Sequence, residues 1–311
     1  SMLRRIMTVF GAAALLLALV PAAVTAAEHD SDPVYLSLGT SLAAGVMADE
    51  NGDSMFRSNF AYSDQLYWRV QDRIDEDLRH VKLGCSGETA DQFVGGMNVY
   101  GEASKCAGLY ATGTQLGDAL ATLATENVVL VTIDLGANDI NQAQDVCSSE
   151  PNPTACIVAS IGPIATKVAN IVGALRVVGG YAGPVIGMNY YNPQVASAIG
   201  FLAGMPGPVA PDPGLAGLTD QLAQGFNGAL QQAYTATGSY TADVYAAFNA
   251  GDFGDDKPAN GIPDNVDRVC KLTYMCPDDA EANANIHPNK KGYKVIAKTF
   301  FKIVKTIDFV G

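Results

Sequence analysis

Val128-Val129-Leu130-Val131-Thr132-Ile133-Asp134-Leu135 is the least ambiguous strand in the chain, and Gly136-Ala137-Asn138-Asp139 follows it directly. A β-branched, almost wholly apolar run of this length reads as a strand buried on both faces, the habit of parallel sheets. Upstream, Val34-Tyr35-Leu36-Ser37-Leu38 has the same character and runs into Gly39-Thr40-Ser41-Leu42. Helix and strand patterns alternate around these two. Tyr62 to Asp77 has helical spacing, with Leu66, Val70 and Ile74 on one face, and His80 to Leu83 is a short strand. Thr114 to Thr125 reads as a helix, and Ala155 to Val178 as a long one that Gly162-Pro163 should kink or split. Pro184 to Tyr190 is a fourth strand, Leu218 to Thr235 a helix, Tyr240 to Phe248 a fifth strand, and Lys290 to Ile307 the final helix. The alternation predicts an α/β architecture with a five-stranded parallel sheet covered on both faces.

The ends and the charge bound the setting. Arg4 and Arg5 precede the apolar stretch Val9 to Val20, then Pro21 and the small residues Ala22 to Ala27. That is the layout of a signal peptide cleaved after Ala26 or Ala27. Its apolar core is about 12 residues, short of the roughly 20 that cross a bilayer. Residues 1–27 are therefore expected to be a leader and residues 28–311 one catalytic-size domain. No other segment reads as a membrane span. With 19 Lys+Arg against 32 Asp+Glu the net charge is −13, and losing Arg4 and Arg5 makes it more acidic still. Such a surface disfavours nucleic acid and anionic membranes as partners.

Cys85, Cys106, Cys147, Cys156, Cys270 and Cys276 form an even set in a chain that reads as exported, which points to disulfides. Nearest neighbours are expected to pair: 85 with 106, 147 with 156, 270 with 276. Metal ligation would want a CxxC pair and a nearby histidine, and neither is present. Two long loops stand out. Gly200 to Gly217, rich in Gly, Pro, Ala, Leu and Met, reads equally as an apolar lid beside a pocket or a surface excursion. Asn249 to Asp267 carries Asp252, Asp255, Asp256 and Asp264 but lacks the Asp-x-Asp-x-Asp-Gly calcium pattern, so a solvated acidic loop is expected.

Ser41 lies at the carboxyl end of the first strand, where open α/β sheets put their sites. A serine in such a turn is often only a helix cap. The histidines narrow the choice of a base for it. His29 is near the amino terminus, His80 enters the second strand at the amino end of the sheet, and His287 precedes Pro288 and the last helix. If the protein is a serine hydrolase, His287 takes the proton from Ser41. The backbone N–H of Gly87, in Cys85-Ser86-Gly87-Glu88-Thr89, the side-chain amide of Asn138 and the N–H of Ser41 would then hold the developing oxyanion. Taken singly, Gly87 is a turn glycine, Asn138 a loop or N-cap residue and His287 a helix-entry histidine.

Together and in this order, the four segments resemble the SGNH hydrolases, the Gly-Asp-Ser-Leu type of esterases and lipases, from about Val34 to Thr306. The Gly87 segment and the sequential cysteines look like secreted actinobacterial members. The resemblance implies a three-layer flavodoxin-like fold and hydrolysis of carboxylic esters through an acyl-serine. It assigns Ser41 as nucleophile, His287 as base and Ser41, Gly87 and Asn138 as oxyanion donors, with no cofactor and no metal. Two positions depart from the family pattern. Thr40 stands where the family has an Asp beside the nucleophile. Asn285 and Ala284 stand where it places the triad acid, two or three residues before the histidine. Three accounts are open: a neutral acceptor such as Asn285 or a backbone carbonyl orients His287, Asp278, Asp279 or Glu281 folds back to it, or the site is impaired. The neutral acceptor is expected.

An α/β-hydrolase would need a Gly-x-Ser-x-Gly elbow, and Gly84-Cys-Ser-Gly-Glu88 fails at its last position. A phosphate binder would want a Walker-type loop, which Gly39 to Gly45 is not. A non-catalytic lipid- or glycan-binding module is the alternative from another class, separated from an enzyme by covalent labelling of Ser41. The expected partner is a small-molecule or lipid ester, fatty-acyl or lysophospholipid, acted on by a secreted monomer.

Overall fold

The computed structural model describes residues 32–55, 58–74, 77–256 and 260–307. The leader proposed for residues 1–27 lies outside them. Five parallel strands form the central sheet: β1 (Val34–Gly39), β4 (Arg79–Lys82), β5 (Val128–Asp134), β6 (Val185–Met188) and β7 (Tyr240–Ala242), in the order β4-β1-β5-β6-β7. Two small antiparallel ladders lie outside this sheet: β2 (Met47–Ala48) with β3 (Ser54–Met55), and β8 (Thr273–Tyr274) with β9 (Asn285–Pro288). Every residue of β1 is buried, as its unbroken apolar run requires. The chain steps from β1 outward to β4, then crosses back over β1 to β5. That reversal opens a crevice at the carboxyl end of β1.

The helices are α1 (Ser41–Ala44), α2 (Tyr62–Gln71), α3 (Ala90–Phe93), α4 (Gln115–Thr125), α5 (Ala137–Cys147), α6 (Pro153–Val177), α7 (Pro213–Ala236), α8 (Val244–Ala247), α9 (Asp264–Leu272) and α10 (Lys290–Val304). Packing pairs α2 with α10, and α6 with α4, α5 and α7, so the sheet is covered on both faces. The apolar core runs from Tyr35 to Val304 and includes Leu66, Ile133, Val168, Leu230 and Phe300. Side-chain caps set the helix starts. Asn152 accepts from Ala155 N and Asp212 from Leu215 N, each before a proline at the first helical position, and Asn289 accepts from Lys291 N and Gly292 N.

Several expectations need correcting. The helix from Tyr62 stops at Gln71, although Ile74 still packs into the core. Gly162-Pro163 neither splits nor ends α6, which continues unbroken as a helix to Val177. The strand at Tyr240 ends at Ala242 because the Asp243 side chain caps α8 by accepting from Ala246 N. Part of each long loop is helical: α7 begins at Pro213 and α9 at Asp264. The segment after β5, read as a loop, is helix α5; its polar Asn, Asp and Gln residues hid the helical period. Finally, α6 is long and apolar enough to cross a membrane by length and composition alone. In the fold its Ile164, Val168, Ile171, Val172 and Leu175 pack into the core, and Lys167 and Arg176 bind Asp91 and the Tyr181 carbonyl.

Candidate active site

β1 delivers Ser41 as the first residue of α1, buried at the crevice. The first-turn N–H of a helix has no intrahelical acceptor, so the Ser41 amide is available to a ligand. The neighbouring backbone is tied down. Asp134, the last residue of β5, accepts hydrogen bonds from Thr40 N, Thr40 Oγ1, Ala43 N and the Tyr62 hydroxyl. Gln115 holds Gly39 on both sides, accepting from its N–H at 2.6 Å and donating to its carbonyl at 3.0 Å.

Gly87 sits in the turn after β4 with φ +79°, a conformation that favours glycine. A Cβ there would meet nothing within 4 Å, so the backbone angle is the reason for glycine and close packing is not. Asn138, in the first turn of α5, donates from Nδ2 to the Glu88 carbonyl at 2.9 Å. This bond couples the Gly87 turn to the Asn138 helix and leaves the second Nδ2 hydrogen for a ligand. Glu88 itself is buried, bonded by Gln115 Nε2 and by the Tyr110 hydroxyl, and burial raises its pKa. Gln115 therefore links the Gly87 turn to the strand that carries Ser41.

His287 lies on β9. Its Nδ1 is 2.7 Å from Asn285 Oδ1, which also accepts from the His287 backbone N–H at 3.0 Å. The Asn285 amide is oriented by its other end, where Nδ2 donates to the Gly52 carbonyl at 2.7 Å and to Ser54 Oγ at 3.1 Å. A carbonyl only accepts, so Oδ1 must be the atom facing the imidazole, and Nδ1 must carry the hydrogen. Nε2 is left with its lone pair. Burial depresses the His287 pKa to about 4, so the ring is neutral at ordinary pH. Asp278, Asp279 and Glu281 are exposed, and Asp279 accepts from Glu281 N. The fold-back account of these carboxylates is therefore not realised.

Ser41, Asn138 and His287 line one cavity with Leu42, Ile140, Ile157, Ile161, Tyr190, Leu222 and Phe226. Gly87 is outside that lining; its turn is tied to the site through the Asn138–Glu88 bond and through Gln115. The loop expected as a possible apolar lid has another task. Gly204 N donates to the Ala284 carbonyl at 2.7 Å and Ala284 N to the Met205 carbonyl at 2.9 Å, bracing the chain just before β9. The apolar wall comes from α5, α6 and α7. His80 is remote from the site, stacked on Tyr35 at 4.7 Å with Nε2 2.9 Å from Ser37 Oγ.

The cysteines pair as expected: Cys85–Cys106, Cys147–Cys156 and Cys270–Cys276. The bridges brace, in turn, the Gly87 turn, the end of α5 and the approach to β9. In the acidic loop, Asp252 accepts from Gly254 N, and Asp255 from Asn260 N and Gly261 N. Among the described residues no group of three His, Cys, Asp or Glu is arranged to hold a metal ion. Sequence reading missed Asp134, Gln115 and the Gly52–Ser54 hairpin. A usable signal for Asp134 was present: a carboxylate inside an otherwise apolar buried run.

Residues 37–295 match the GDSL-like lipase/acylhydrolase family, and the chain belongs to that family. It is a carboxylic ester hydrolase. No curated relative matches the sequence. Among solved structures, the lipase Lip_vut3 from a goat rumen metagenome superposes with a TM-score of 0.52 at 16% identity, over 86% of this chain and 96% of its own. A putative GDSL-like lipase from Parabacteroides merdae gives 0.50 at 11% identity, over 89% and 97%. These two share the fold of this chain.

Proposed function

We propose that this chain is a secreted serine esterase or lipase acting on esters with an apolar, fatty-acyl chain, lysophospholipids included. The observation that carries the reading is one apolar cavity on which Ser41, Asn138 and His287 converge. In the proposed reaction Ser41 Oγ attacks the ester carbonyl while His287 Nε2 takes its proton. The negative charge on the former carbonyl oxygen is met by the N–H groups of Ser41 and Gly87 and by Asn138 Nδ2. His287 then returns the proton to the departing alcohol, leaving an acyl-serine. Water, deprotonated by the same imidazole, releases the acid.

Asn285 is proposed to fix the imidazole tautomer in place of a carboxylate, and a leader at residues 1–27 to direct export. Residues 28–311 would form one catalytic domain, active as a monomer. Three disulfides fit an oxidising destination. The test is hydrolysis of p-nitrophenyl esters from acetyl to palmitoyl by the wild type and Ser41→Ala. Turnover is expected in the wild type, rising with chain length to an optimum set by the cavity, and absent from the variant. A folded wild type that neither turns over any ester nor labels at Ser41 with a fluorophosphonate would overturn the proposal.

A further inference from the structure

Thr40 leaves the nucleophile turn without the carboxylate that its family carries beside the serine. The fold brings a carboxylate to the same spot from another strand. Asp134 is directly opposite Gly39 in the β1–β5 pairing and is wholly buried. Its Oδ2 is 2.6 Å from Thr40 Oγ1 and 3.1 Å from Thr40 N, and its Oδ1 is 3.0 Å from Ala43 N and 3.1 Å from the Tyr62 hydroxyl. Thr40 and Ala43 stand on either side of Ser41, so one carboxylate grips the backbone before and after the proposed nucleophile.

We propose that Asp134 is the positioning residue of the Ser41 turn, holding the Ser41 hydroxyl and N–H in their reactive geometry in place of an acid at position 40. This rests on the serine-esterase reading above. Donor and acceptor counts decide which residue type can fill this position. Four donors converge on two oxygens, and only a carboxylate accepts on both atoms. Asparagine at 134 would set an NH2 group against the backbone N–H of Thr40 or of Ala43, which cannot turn to accept as the two hydroxyls can, and burial makes such a mismatch costly. A buried carboxylate is itself expensive, and burial pushes the Asp134 pKa up to about 7 despite the four bonds. A core position needing only bulk would be apolar. What the carboxylate adds is orientation of the two peptide units flanking Ser41, where a displacement of 1 Å is worth about 10²-fold in rate.

The decisive experiment compares wild type, Ser41→Ala, Asp134→Asn and the exchange Thr40→Asp/Asp134→Thr on one p-nitrophenyl ester, with circular dichroism and thermal melting on each. Asp134→Asn should lose about 10²-fold in kcat with KM within about threefold, because the acyl cavity is untouched. The exchange keeps a carboxylate–hydroxyl pair with the partners reversed, and should regain at least about tenfold over Asp134→Asn. An Asp134→Asn enzyme with wild-type kcat, or one whose loss lies in KM, would overturn the inference while leaving the esterase reading intact. A folded exchange variant with no recovery would do the same. Should Asp134→Asn fail to fold, the exchange alone decides: turnover supports the inference, and an inactive or unfolded exchange variant overturns it. A wild type matched by Ser41→Ala would overturn the esterase reading and the inference together.

Discussion

On the Ser41 side of the crevice a buried carboxylate, Asp134, accepts four hydrogen bonds; on the His287 side a neutral amide, Asn285, accepts two. The two halves of the site are held by different chemistry because they ask for different things. The serine turn must aim several backbone donors at once, and a single acceptor able to take four bonds does that. The imidazole needs only its Nδ1 hydrogen fixed, and one carbonyl oxygen suffices. What the amide does not supply is charge. A neutral acceptor would do little for the imidazolium that the proposed proton transfer forms, and burial at this position already disfavours it.

The largest expected effect removes the uncharged half altogether. His287→Ala should lower kcat by about 10⁴–10⁶, because serine and imidazole act as a unit. Single-turnover labelling by p-nitrophenyl butyrate checks it, and a loss under tenfold would end the case for His287 as base. The next effect lies between the halves. Asn138→Ala should cost about 10²–10³ in kcat if its amide meets the oxyanion. The same change frees the Glu88 carbonyl, so a thermal melt must accompany the kinetics. A loss explained entirely by unfolding would leave Asn138 a structural tie.

The contrast sharpens when a charge is put where none stands. Asn285→Asp should raise turnover or leave it unchanged, and its signature is the pH profile. A general base works when unprotonated, so activity falls as pH drops through its pKa. With His287 held near 4, no acid limb from His287 is expected above about pH 5, and a loss centred near pH 7 would belong to Asp134, whose carboxyl burial raises to about 7. An aspartate at 285 favours the imidazolium and moves that acid limb upward, towards the ordinary histidine value of about 6.5. Collapse of activity in Asn285→Asp would show that this position does not tolerate an acid partner.

How much of this was legible in the sequence differs between the halves. The strands, the order of Ser41, Gly87, Asn138 and His287, and the cysteine pairing could be read because each rests on local pattern or on spacing. Asn285 could be named as a candidate partner because it is two residues from His287, and the fold puts its Oδ1 2.7 Å from Nδ1. For Asp134 the sequence marks the residue, a carboxylate in an apolar run, but not its partners: Thr40 is 94 residues away, the contact exists only once β1 and β5 pair, and parallel pairing leaves no turn signal in the sequence. Helix α5 failed for a different reason. Its first turn carries Asn138, which lines the cavity, and Asp139, which accepts from Ala90 N, so polar residues interrupt the apolar stripe there.

The smallest expected effect concerns stability and separates the two partly buried histidines. His80 is held neutral, its pKa lowered to about 3 by burial and secondarily by Lys82, while His287 is lowered to about 4. Both titrate near 6.5 in the unfolded chain. Below that value the unfolded state takes up protons that the folded state refuses, so each histidine's contribution fades as pH falls from about 6.5 towards its folded pKa. Asp134 and Asp139 act in the opposite sense, since carboxyls raised to about 7 and about 6 bind protons in the folded state first. Their terms make the fold more stable as pH falls from about 7 towards 4, so the net curve should be shallow. His80→Gln removes one histidine term without touching the crevice. Its melting temperature should be lower than wild type at pH 7, where stacking on Tyr35 is lost, and the gap should narrow at pH 4.5. Esterase activity should be unchanged. A gap that widens in acid would mean that His80 is protonated in the fold, paired with Asp64, whose Oδ1 is 3.9 Å from Nδ1.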